Sequence, residues 1–156
     1  NHEPGYDVIK GNTIRWNEET GFKSIEHPVI EYPEIPFNFL VCHQSTSISK
    51  SAYERYGGYG IDYRVAMDFD LMLRFTQKGA KFRKINENLA IFRMGGISQT
   101  AGQRRYDEMK KAMLSNGHSK LSTAIFMFYI HLRTGVSNIL NKIDPDLKNK
   151  LITKKC

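Results

Sequence analysis

Between Asp68 and Gly79 the apolar side chains return at helical spacing, and this fixes one element of the chain more firmly than any other stretch does. Phe69, Met72 and Leu73 stand at i, i+3 and i+4, and Leu71 and Phe75 are four apart. The pattern predicts a helix from Asp68 to Lys78, ended by Gly79. Asp68 then lies at the mouth of that helix, and two readings of it follow. An aspartate there can accept from the free amides of the first turn and be no more than a cap. An isolated carboxylate at the same place also suits a general base. Asp70, four residues before Arg74, forms with it an i,i+4 ion pair, worth only about 0.2–0.5 kcal/mol on an exposed face.

Upstream, a strand is expected near Tyr6–Lys10. A hairpin follows, with Thr13–Trp16 and Phe22–Ile25 as its arms and Asn17-Glu18-Glu19-Thr20-Gly21 as its turn. Pro28, Pro33 and Pro36 break up the stretch from His27 to Phe37, which predicts a loop. A strand at Phe39–His43 comes next. Ser49 or Ser51 can cap a short helix running through Tyr56, which Gly57-Gly58 ends. Two further strands are expected near Lys81–Ile85 and Leu89–Arg93, and Gly95-Gly96 marks a tight turn after the last.

From Gln103 the spacing turns helical again, with Tyr106, Met109, Ala112 and Met113 in one stripe and Asn116-Gly117 as the stop. A second helix, Leu121 to Leu132, is apolar nearly all round at Ile125–Ile130, and burial is expected of it. Lysines and arginines collect in this region: Lys110, Lys111, Lys120, Arg133, Lys142, Lys148, Lys150, Lys154 and Lys155. A helix of this kind among clustered lysines can pack on the sheet or on a second copy of the chain. It can also rest on an anionic leaflet as a peripheral contact.

A chain of 156 residues with 40% hydrophobic and 25% charged side chains can bury one core, and nothing in it has the composition of a disordered or fibrous protein. Cys42 and Cys156 stand too far apart in sequence to read as a disulfide framework or a metal-ligand pair, so a reducing cytoplasm is the default. No run reaches the ~18–20 apolar residues of a membrane span. The formal charge of +7 comes without a recognisable nucleic-acid motif, so no nucleic-acid partner is expected.

The order of several short stretches resembles the acceptor-side half of family-2 glycosyltransferases of the GT-A type, above all bacterial enzymes of polysaccharide biosynthesis. The stretches are Tyr6–Asn12, His43-Gln44-Ser45-Thr46, Lys50–Tyr59, the helix from Asp68 to Arg74, and Leu89–Ser98. Together they cover about the first two thirds of the chain. Two positions depart from that pattern: Gly60 stands where members often carry Asp, and Ser47 where they often carry Phe.

The resemblance implies an α/β fold, a partial GT-A mixed sheet with helices over residues 1–100, followed by a helical, basic extension over residues 101–156. It implies that Asp68 is the catalytic base of an inverting single displacement, with Asp70 braced by Arg74 behind it. His43 and Gln44 are implied to bind donor or acceptor. The guanidinium of Arg93 suits the oxygens of a diphosphate or a sugar, or else faces solvent from its strand. The donor would be a nucleotide-sugar, and the acceptor a glycan or a lipid-linked sugar. Such enzymes hold a divalent cation, Mn²⁺ or Mg²⁺, on an Asp-x-Asp motif after an upstream strand. Asp68-Phe69-Asp70 spells that motif but opens a helix, so the metal ligands are expected outside this chain. About a hundred further residues, carrying the first βα units at whose strand ends a nucleotide binds, are expected before Asn1. Without them the chain is expected to be inactive. A binding module for a glycan or a protein partner, with no turnover, is the alternative.

Overall fold

β1 (Val8–Trp16) is the strand around which the sheet is built, and the structure, a computed structural model, describes it within residues 5–28, 43–93 and 102–143. A strand has two edges. Along one of them β4 (Phe82–Arg93) runs parallel, from Val8 opposite Phe82 to Trp16 opposite Arg93. The other edge is shared end to end. β3 (Thr46–Ile48) lies antiparallel beside Val8–Lys10, and β2 (Lys23–Glu26) antiparallel beside Thr13–Trp16. The sheet is therefore mixed, as expected. Residues 8–13 of β1 are buried without alternation, the pattern of a strand covered on both faces.

The hairpin forms where its turn residues predict. Trp16 faces Lys23, the Asn17 amide donates to the Phe22 carbonyl at 2.9 Å, and Gly21 takes φ +69°. The two strands expected after Lys81 are instead one continuous strand with an irregularity in the middle. Lys10 faces Lys84 but Asn12 faces Asn88, so β4 carries extra residues over Gly11. A Cβ at Gly11 would fall on the Leu89 side chain and within 2.7 Å of the Glu87 carbonyl, so only glycine lets the two backbones come this close. Of the strand expected at Phe39–His43, only His43 lies among the described residues, and it opens a single 3₁₀ turn, His43–Ser45. Most of the Pro-rich loop, the Gly95-Gly96 turn, Cys42 and Cys156 lie outside the described residues.

The crossover from β1 to its parallel neighbour β4 runs through helices, as a parallel pair requires. α1 (Lys50–Tyr56) is capped by Ser49, whose Oγ accepts from the Ala52 amide at 3.1 Å, and Gly57 ends it at φ +91°. α2 (Met67–Gln77) buries Phe69, Leu71, Met72, Leu73 and Phe75. It closes with Gly79 at φ +77°, the Gly79 amide on Thr76 O and the Ala80 amide on Phe75 O. α3 (Gly102–Ser115) and α4 (Lys120–Ile143) follow. Phe69 of α2 and Phe126 of α4 stack at 5.5 Å and 17°, and one buried cluster joins β1, α1, α2, α3 and α4.

Two expectations about the last helix are corrected. It does not stop at Leu132 but runs for 24 residues, through Gly135, because the cost of a single helical glycine, about 1 kcal/mol, is small against a helix of this length. Nor is it buried all round. Phe126 and Ile130 enter the core, while Leu121 and Phe128 are 72% and 71% exposed. Among the described residues no helix is long and apolar enough to cross a membrane.

Candidate functional site

Asp68 is not a cap. The N-cap position of α2 belongs to Ala66, which offers no side chain, and Asp68 is the second residue of the helix. The amides just before the helix are served from elsewhere: Glu108 Oε2 on α3 accepts from Arg64, Val65 and Ala66 at 3.0, 2.8 and 3.0 Å. Glu108 Oε1 accepts from Arg104 Nε at 2.8 Å. Burial alone would push the Glu108 carboxyl up, but the Ala66 amide, Arg104 and the other two amides outweigh it and hold it down at about 2.

Relieved of capping, the Asp68 carboxylate faces outward with 31% of its side chain exposed, and its Oδ2 lies 2.9 Å from His43 Nδ1. His43 reaches it because the 3₁₀ turn is anchored to the sheet. Ser45 is buried, and its Oγ meets Thr13 Oγ1 on β1 at 2.6 Å. Gln44, next to His43, is exposed at the same turn. Tyr59 completes the group. Its hydroxyl hydrogen-bonds Asp68 and Tyr53, and burial followed by the Asp68 charge pushes its pKa upward.

Tyr59 stands just after Gly57-Gly58, and that loop is held by α2 itself. Arg74 donates to Tyr56 O and to Gly58 O, both at 2.9 Å, and its Nη2 lies 3.0 Å from Asp70 Oδ2. Asn116 Nδ2 donates to Asp70 Oδ1 at 2.9 Å. The expected ion pair of Asp70 and Arg74 therefore exists. It is largely buried, and it acts on the loop that carries Tyr59. Gly60 lies in the same loop, where a Cβ would come 2.9 Å from the Tyr63 ring and 3.5 Å from Asp70 Oδ2. A larger residue here would crowd this support.

The two aspartates of Asp68-Phe69-Asp70 do not make a cation site. Two positions apart on a helix they point about 200° from each other, and both oxygens of buried Asp70 are taken, by Arg74 and Asn116. Among the described residues no three His, Cys, Asp or Glu side chains converge as metal ligands. Arg93 is not gathered in with His43 and Asp68; at the end of β4 it pairs with Glu18 of the hairpin turn at 3.3 Å. Tyr59 is the member that the sequence reading missed. Its one signal was its place directly after two glycines.

Against known proteins, the chain matches no family model, no curated protein and no solved structure. What stands is a mixed α/β fold with an outward-facing His–Asp–Tyr group at the start of α2.

Proposed function

We propose that the protein is a sugar-transferring enzyme of the inverting GT-A type and that Asp68 is its general base. The observation that carries this reading is a carboxylate at a helix start that caps nothing, stays open to solvent, and is oriented by His43 at 2.9 Å and by Tyr59. In the proposed step an acceptor hydroxyl gives its proton to Asp68 as its oxygen forms a bond to the anomeric carbon. The bond from that carbon to the diphosphate breaks on the opposite face, and its electron pair leaves with the nucleoside diphosphate. His43 fixes the carboxylate, and with half its side chain exposed it can also reach a sugar hydroxyl. Asp70 and Arg74 act through the Gly57-Gly58 loop, as positioning residues. A divalent cation would stabilise the departing diphosphate, but Asp68 and Asp70 are not arranged to hold one.

A glycan-binding module without turnover is the competing reading, favoured by Tyr59: a 44% exposed aromatic beside two hydrogen-bonding side chains is what a sugar face packs on. Release of nucleoside diphosphate from UDP-, GDP- and dTDP-sugars, followed with the whole encoded protein and its Asp68→Asn variant, separates the two. Transfer that falls at least a hundredfold in the variant while donor binding persists is the expected result for a general base. Transfer that survives the substitution removes Asp68 from that role, and glycan binding with no transfer by either protein favours the module.

A further inference from the structure

α4 has two apolar faces, and the fold uses one. Phe126 and Ile130 point into the core with Thr123, whereas Leu121, Ile125, Phe128, Leu132, Val136 and Ile139 lie on the opposite side of the helix. Leu132 is 57% and Ile139 62% exposed, in line with Leu121 and Phe128. At 1.5 Å per residue the stripe is about 27 Å long. All six side chains are 44–72% exposed, and a contiguous apolar stripe of this length marks an interaction surface.

The charge on the helix says what covers this face. α4 contains no aspartate or glutamate in its 24 residues, while Lys120 and Arg133 lie toward the two sides of the stripe and form no ion pair among the described residues. Lys110 and Lys120 also line a groove between α3 and α4, with Asp107, Met127 and His131. The sequence after α4 adds four lysines against two aspartates. If α4 paired with α4 of a second copy, its cations would meet their own images, because α4 itself carries no carboxylate, where paired helices place opposite charges. An anionic bilayer surface meets both features at once: apolar side chains enter the headgroup boundary, and lysine and arginine stems reach back to the phosphates.

We propose that the outward face of α4 docks the protein on an anionic lipid surface. The helix lies in the interface along its stripe and does not cross the bilayer. This proposal does not rest on the transfer reading, and its test measures lipid binding alone, so either can fail without the other. The experiment is flotation of the full chain with vesicles of phosphatidylglycerol and phosphatidylcholine, and with vesicles of phosphatidylcholine alone. It is repeated with a Leu121→Ser, Phe128→Ser, Leu132→Ser variant and a Lys120→Glu, Arg133→Glu variant. Wild type is expected to bind the anionic vesicles at least tenfold more tightly than the neutral ones, and both variants to lose at least tenfold while keeping the wild-type circular dichroism. All five positions are exposed, so the core is untouched. Equal binding to neutral vesicles, or unchanged binding by the serine variant, overturns the proposal. So does a stable dimer in light scattering that only the serine variant dissociates, since the stripe would then belong to a second copy.

Discussion

Lys10 is fully buried in the middle of β1, with its ammonium 5.1 Å from the centre of the Phe82 ring. Burial lowers its pKa from 10.5 to about 7. The unfolded chain keeps that proton up to about 10.5, so between about 7 and 10.5 the unfolded state binds a proton the folded state has released, and stability must rise with pH across that window. Below about 7 the lysine is charged in both states and the cost of burying it is at its greatest. The urea midpoint of the wild-type protein is therefore expected to climb between pH 7 and pH 10. A Lys10→Met variant should climb less across the same window. A wild-type midpoint no more pH-dependent than that of the variant would show that the site solvates its charge. At this scale the sequence discloses what is local. The ion pair of Asp70 and Arg74 is four residues apart on a helix and could be read directly, whereas the contacts that orient Asp68 come from residues 9 and 25 positions away and needed the fold.

Helices announce themselves by period and stop residues, and α1 and α2 begin and end within a residue or two of where Ser49, Gly57 and Gly79 suggest. The cap of α2 did not announce itself. Its donors at residues 64–66 are met by a glutamate more than forty positions away on α3, where Glu108 stands among Tyr106, Met109 and Ala112 and looks like part of a solvated face. The same holds for the irregularity of β4 over Gly11, since a glycine in a strand does not say which backbone crosses it. Glu108→Gln keeps the shape but removes the charge that the three amides and Arg104 hold. The variant is expected to be less stable at pH 7 by about 1–3 kcal/mol. Because the folded carboxyl titrates at about 2 against an ordinary 4.5, this contribution is complete above 4.5 and fades as the pH falls toward 2. Thermal melts of the two proteins should therefore converge at low pH; a gap as wide at pH 2.5 as at pH 7 would mean that the charge of Glu108 contributes nothing.

At the scale of the molecule the question is whether the sheet and the last two helices fold as one. Sequence composition suggests a seam near residue 100, where charge and period change. Yet Glu108 holds the entrance to α2, Asn116 holds Asp70, and Phe126 stacks on Phe69. Every one of these contacts crosses the seam to reach α2 or its entrance, the element that carries Asp68. If they couple the two parts, truncating Phe126, which is completely buried, must weaken the sheet as well as the helices. Phe126→Ala is expected to cost about 3–5 kcal/mol through lost burial and the cavity left against Phe69. Trp16, the single tryptophan, sits at the end of β1 and reports on the sheet by fluorescence, whereas far-ultraviolet circular dichroism is dominated by α2, α3 and α4. Both signals should shift to lower denaturant by the same amount, because a two-state unit gives coincident transitions. A Trp16 transition that stays in place while the helical signal moves would divide the chain into two units, and the support of Asp68 would then have to come from the sheet and α2 alone.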